Sequence, residues 1–133
     1  MKVFIIEDSI LISSRIADAA TSVDGVCVAG SSGNVTDAYR RIRELKPDVL
    51  VVDIGLPDGS GLTVLKQIKS ERTEIKAVVL SNSASSQYRH AALLAGADQF
   101  LDKSTEFSQL TTIFSGWLLD FQQHHRSSVR LST

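Results

Sequence analysis

The run Val49-Leu50-Val51-Val52 contains no polar residue, so a strand built from it has no face for water to cover. Such a strand belongs inside a sheet that carries helices on both sides. It ends in Asp53 and opens into Ile54-Gly55-Leu56-Pro57-Asp58-Gly59-Ser60-Gly61, whose glycines and proline read as a loop. Four more short runs follow the same pattern. Val3-Phe4-Ile5-Ile6 precedes Glu7-Asp8, and Val26-Cys27-Val28-Ala29 precedes the segment from Gly30 to Gly33. Ala77-Val78-Val79-Leu80 precedes Ser81-Asn82-Ser83, and Gln99-Phe100-Leu101 precedes Asp102-Lys103.

Helical spacing fills the intervals. Ser9 caps a first helix with the stripe Ile10, Leu11, Ile12, Ile16, Ala17 and Ala20, which Gly25 ends. Asn34, with Asp37 in the first turn, opens a second helix that Pro47 forbids from continuing. Leu62, Val64, Leu65 and Ile68 mark a third. Ser85 to Ala95 is a fourth with a modest apolar face (Ala91, Ala92, Leu94, Ala95), closed by Gly96. The fifth runs from about Thr105 to Gln123, with Phe107, Leu110, Ile113, Phe114, Trp117, Leu118 and Phe121 on one arc. Five strand–helix pairs in strict alternation call for an α/β fold, a doubly wound parallel sheet joined by right-handed crossovers. One domain is expected over residues 1–122, followed by a flexible C-terminal tail over residues 123–133.

Charge narrows the function classes. Fourteen Lys and Arg stand against fifteen Asp and Glu, leaving no basic stripe for direct contact with nucleic acid. Cys27, the single cysteine, lies within an apolar run and is expected to be a buried, inert thiol. No apolar run approaches the roughly 18 residues of a membrane span. The N-terminal run meets Glu7-Asp8 too early for a signal peptide, so a cytoplasmic location is expected.

In a parallel sheet, Glu7, Asp8, Asp53, Ser81 and Lys103 all fall at the carboxyl edge, where chemistry collects in open α/β sheets. Singly, each has a plain reading: a turn aspartate, a helix-capping serine, a surface lysine. Together they do not. At ~4 Å and an effective dielectric of about 20, each carboxylate pair costs on the order of 4 kcal/mol. Such a cluster persists by binding a cation, taking up protons or pairing with a base. Hard oxygen donors at an open site suit Mg²⁺ (or Mn²⁺) together with a phosphate oxygen. Lys103 offers a point charge for a phosphoryl oxygen and Ser81 a hydroxyl donor, with Asp53 as nucleophile.

At these residues the chain resembles the receiver domain of the response regulators of bacterial two-component signalling. The likeness rests on Glu7-Asp8 after the first strand and Asp53 after the third, with Pro57 and Gly61 four and eight positions beyond it. Ser81 after the fourth strand, and Phe100 three residues before Lys103, complete it. The resemblance implies a flavodoxin-like (βα)5 fold with strand order 2-1-3-4-5, an order that general accounts of doubly wound sheets give for the chemotaxis receiver. It implies that Asp53 takes a phosphoryl group from a sensor histidine kinase or a phosphotransfer protein, in a Mg²⁺-dependent reaction. Asp8, Asp53 and the Gly55 carbonyl would hold the metal, with Glu7 acting through water. Ser81 and Lys103 would bind the phosphoryl oxygens, Phe100 would be the aromatic that reorients, and Gly55 and Ser83 would set the phosphoryl lifetime. Being small, Gly55 and Ser83 are expected to leave the group open to water.

The resemblance further implies signalling through protein contacts, by homodimer or partner docking on the fourth helix, fifth strand and fifth helix. Tyr88, His90 and Leu119 lie on that side. The chain would catalyse only its own phosphorylation and dephosphorylation. Where receivers usually carry proline after the lysine, this chain has Ser104, which is expected to cap the last helix and still deliver Lys103 to the site. Lys103-Ser104-Thr105-Glu106-Phe107 resembles the subgroup joined to helix-turn-helix (LuxR/NarL-type) DNA-binding domains. The length favours a stand-alone receiver over the receiver part of a longer transcription regulator. A phosphohydrolase with an aspartyl nucleophile would want a second acid two residues on, where Gly55 stands. A flavin-binding electron carrier would want a phosphate cradle where Glu7-Asp8 repels one.

Overall fold

The structure is a computed structural model that describes residues 1–82 and 85–132, with side chains described through residue 124. Five strands, β1 (Lys2–Ile6), β2 (Cys27–Ser32), β3 (Val49–Asp53), β4 (Lys76–Ser81) and β5 (Gln99–Asp102), form one sheet in the order β2-β1-β3-β4-β5. Every pairing within it is parallel. Between the strands run α1 (Ile10–Thr21), α2 (Val35–Leu45), α3 (Gly61–Glu71) and α4 (Ser86–Ala95). A 3-10 turn over Phe107–Gln109 leads into α5 (Leu110–Ser132). This is the doubly wound order the resemblance implies.

The unbroken apolar runs are explained by the two cores they feed. Successive residues of a strand face opposite sides. Phe4, Ile6, Leu50, Val52, Ala77 and Val79 enter one core, against Ala38 and Ile42 of α2, Val64, Leu65 and Ile68 of α3, and Ala92 of α4. Val3, Ile5, Val49, Val51, Val78 and Leu80 enter the other, against Ile16 and Ala20 of α1 and Leu110, Phe114 and Leu118 of α5. Phe4 and Phe114 are fully buried on opposite faces, and truncating either to alanine costs about 3–5 kcal/mol.

Local signals act where the sequence puts them. Ser9 Oγ accepts the Ile12 N–H at 3.3 Å, and Asn34 Oδ1 accepts the Asp37 N–H at 2.8 Å. Ser85 Oγ caps α4, and Gly96 ends it in the left-handed region (φ 105°).

Several expectations need correction. Cys27 is exposed, because β2 is an edge strand and the residue stands at its start. Ile10 and Leu11 are exposed, since the core-facing row of α1 is Ile12, Ile16 and Ala20, spaced by four, and both residues lie off it. Leu94 is exposed as well: Ala92 and Ala95 alone make the buried side of α4. Ser104 caps no helix. Its N–H and hydroxyl both donate to Asp102 Oδ1, at 2.8 and 2.5 Å, and the final helix begins later, after the 3-10 turn. The backbone of α5 stays helical to Ser132, past Gln123, because no proline or glycine interrupts residues 118–132 and extending a formed helix is cheap.

Candidate functional site

Register decides which strand ends meet. Ile6 pairs with Val52, so Glu7 comes level with Asp53. Asp53 pairs with Leu80, which puts Ser81 one residue further out, and Ser81 pairs with Asp102. The Lys103 N–H then donates to the Ser81 carbonyl at 2.9 Å, so the lysine leaves the last strand at the height of the acids. At about 4.8 Å per strand, β5 lies about 14 Å from β1 across the sheet, and the long lysine side chain spans what remains. Its ammonium stands 2.8 Å from Glu7 Oε2 and 3.2 Å from Asp53 Oδ1.

Below Asp53 the chain turns through a two-strand hairpin, Gly55–Leu56 with Gly59–Ser60. Ser60 caps α3, and the Gly61 N–H donates to the Ile54 carbonyl at 3.0 Å. A Cβ at Gly61 would drive into the Asp53 carbonyl and Val52 Cγ1, so glycine is required for the loop to fold back under the aspartate. This accounts for the spacing of eight between Asp53 and Gly61.

Glu7, Asp53 and Ser81 are buried, whereas Asp8 is exposed. Together with Ser9, Ile12, Ile54, Gly55, Asn82, Tyr88 and Lys103 they line an open pocket of ≈ 500 Å³. Glu7 is held from two sides, its Oε1 accepting the Ser9 N–H at 3.1 Å and its Oε2 the Lys103 ammonium. Burial pushes the Glu7 carboxyl above its ordinary range; the Lys103 hydrogen bond opposes this, and the charge of Asp53 adds to it. Burial also works against the Lys103 charge, but the hydrogen bond to Glu7 and the charge of Asp53 outweigh it and raise its pKa. The lysine therefore stays protonated at neutral pH.

One oxygen each from Glu7, Asp8 and Asp53 can lie within 4.8 Å of one another. Three carboxylates against one ammonium leave an excess of two negative charges. Oxygen-only donors, that excess and an open mouth fit a divalent cation such as Mg²⁺, which takes few protein carboxylates and keeps water on its other positions.

Of the residues the sequence singles out, Glu7, Asp8, Asp53, Gly55, Ser81 and Lys103 line this one pocket. Ser83 lies outside the described residues. Phe100 is buried below the pocket, in the core with Val79 and Ala92, and the Arg89 guanidinium covers its ring at 4.8 Å. Arg89 also pairs with Glu106 at 3.3 Å, and Glu106 Oε1 accepts the Asp102 N–H at 3.0 Å. The sequence gives Glu7 a mainly water-mediated part toward the metal and does not specify its direct bond to Lys103. Tyr88, which the resemblance places on the docking side, also lines the pocket. The available signal was position: Tyr88 sits in the first turn of the helix that follows Ser81, hence at the same sheet edge.

The family described as "Response regulator receiver domain" matches residues 3–115. The DNA-binding transcriptional activator DevR/DosR of Mycobacterium tuberculosis is 28% identical over 110 residues, covering 83% of this chain and 51% of the relative. A protein-glutamate methylesterase/protein-glutamine glutaminase of Clostridium acetobutylicum is 32% identical over 105 residues, covering 77% of this chain and 30% of the relative. The chain thus spans about half or less of these curated relatives. Among solved structures, a CheY-like receiver domain protein from Methanospirillum hungatei superposes with a TM-score of 0.80 at 20% identity, over 92% of this chain and 97% of that one. A LuxR-family DNA-binding response regulator from Staphylococcus aureus gives 0.78 at 22%, over 86% and 96%. At that identity the structural likeness carries the fold alone.

Proposed function

The chain belongs to the response regulator receiver family, and from that premise we propose that Asp53 is its phosphoryl acceptor, with Glu7 and Asp8 completing a Mg²⁺ site. The observation that carries the reading is the Lys103 ammonium, within hydrogen-bond reach of both Glu7 and Asp53 in a pocket with an excess of carboxylate. Asp53 Oδ attacks the phosphorus of a phosphohistidine on a partner kinase or phosphotransfer protein. An O–P bond forms as the P–N bond breaks, and the histidine nitrogen keeps the electron pair. Asp8, Asp53 and the Gly55 carbonyl would hold Mg²⁺ directly and Glu7 through water, and the ion would supply positive charge for the phosphoryl oxygens.

The switch follows from what Lys103 and Ser81 gain. Before transfer Lys103 divides its hydrogen bonds between two carboxylates. Afterwards the phosphoryl oxygens compete for the ammonium and for the Ser81 hydroxyl, and hydrogen bonds to charged groups are worth about 1.5–3 kcal/mol each. Moving a population from 1:99 to 99:1 takes about 5.5 kcal/mol, which two such bonds approach. Drawing Ser81 and Lys103 inward strains the ends of β4 and β5, next to Phe100. The adjoining face of α4, β5 and α5, where Leu94 and Leu119 are exposed, is the proposed docking or dimer surface. Sedimentation that is unchanged by a phosphoryl mimic and by Leu119→Ser would remove the dimer.

The direct test is incubation with acetyl phosphate and Mg²⁺ followed by intact-mass measurement. A gain of one phosphoryl group per chain, dependent on Mg²⁺ and absent in Asp53→Asn, is expected. Retention of the gain in Asp53→Asn, or turnover of many equivalents of donor, sinks the reading.

A further inference from the structure

We propose that Tyr88 is the shield of the phosphoryl group, an aromatic cover on the pocket rim that limits the approach of water. The inference rests on the reading of Asp53 as acceptor. Gly55 is exposed, with nothing within 4 Å of where its Cβ would stand, so no side chain of the described residues closes the pocket there. Tyr88 is the one aromatic among the residues that line the pocket. It belongs to neither hydrophobic core and is 44% exposed. Packing therefore does not explain a ring at this position. The Ser85 cap fixes its backbone, with the Tyr88 N–H donating to Ser85 Oγ at 3.4 Å.

The reaction it would slow is hydrolysis of the acyl phosphate. Water oxygen bonds to phosphorus, the bond between Asp53 Oδ and phosphorus breaks, and the carboxylate leaves with the electron pair. Both protons of the water end on inorganic phosphate. A ring over the site removes positions from which water can attack, as closure does in other reactive sites. Bulk carries this role, so phenylalanine serves as well as tyrosine.

The full chain is labelled with acetyl phosphate and Mg²⁺, desalted, and followed by intact mass over time. Tyr88→Ala is expected to shorten the phosphoryl half-life about tenfold and Tyr88→Phe to keep it within about twofold. Equal half-lives for wild type and Tyr88→Ala overturn the shield, as does a Tyr88→Phe that decays as fast as Tyr88→Ala. Should Tyr88→Ala fail to fold by circular dichroism, Tyr88→Leu takes its place, with an intermediate half-life expected and an unchanged one overturning the shield. No label on wild type defeats the acceptor reading itself; label on wild type with equal decay defeats the shield alone.

Discussion

Two charged clusters in this molecule look alike on paper and behave oppositely. On the outer surface Glu71 of α3 receives hydrogen bonds from Arg43 and Tyr39 of α2 and from Gln67, one turn earlier on its own helix. The Arg43 guanidinium also stacks on the Tyr39 ring at 4.3 Å. One carboxylate meets three donor groups, and the Arg43 hydrogen bond, ahead of that from Tyr39, holds its carboxyl at about 2. At the sheet edge three carboxylates line a pocket with one ammonium, which reaches only Glu7 and Asp53. The first cluster is satisfied and ties two helices together. The second is short of positive charge, a condition a purely structural network would not retain. Charge imbalance, rather than charge density, separates a site from a strut.

The comparison breaks most visibly at Lys103. Its side chain is 9% exposed and that of Glu7 is 2%, so Lys103→Ala strands a buried acid. A loss on the order of 3 kcal/mol is expected from urea midpoints in chelator, partly restored by Mg²⁺. A loss below one third of that would mean water already screens the pocket.

Removing an acid should have opposite signs in the two places. Asp53→Asn relieves repulsion with Glu7 and is expected to stabilise the chain by about 1 kcal/mol without divalent metal, while abolishing phosphoryl acceptance. A lower melting temperature for Asp53→Asn would contradict the imbalance. Glu71→Gln is expected to destabilise slightly at pH 7, the smallest of the three effects. The Glu71 carboxyl sits below its ordinary 4.5, so its contribution is complete above that pH and fades as pH falls towards 2. The gap between wild type and Glu71→Gln should therefore narrow from pH 7 to pH 3; a gap that widens would reverse the assignment.

The site was legible because its residues follow apolar runs, and the runs mark strand ends without any knowledge of partners. Tyr88 and the direct bond between Glu7 and Lys103 were not, since both depend on groups from different strands and helices meeting over a pocket. Cys27, Ile10 and Leu94 were misread for a related reason. Hydropathy says that a residue could be buried, but only the strand's place in the sheet and the face a helix turns to it say whether anything lies against it.

From the chain alone came the alternation of strand and helix, the two-sided burial of the central strand, and the acids, hydroxyl and lysine at the strand ends. These are local properties, written in periodicities of two and 3.6 residues. The placement of β3 between β1 and β4, the level register of Glu7 with Asp53, and the lysine bridging back across the sheet belong to the tertiary structure. Contacts between residues as far apart as Glu7 and Lys103 depend on how the helical crossovers pack against both faces, which no local pattern contains.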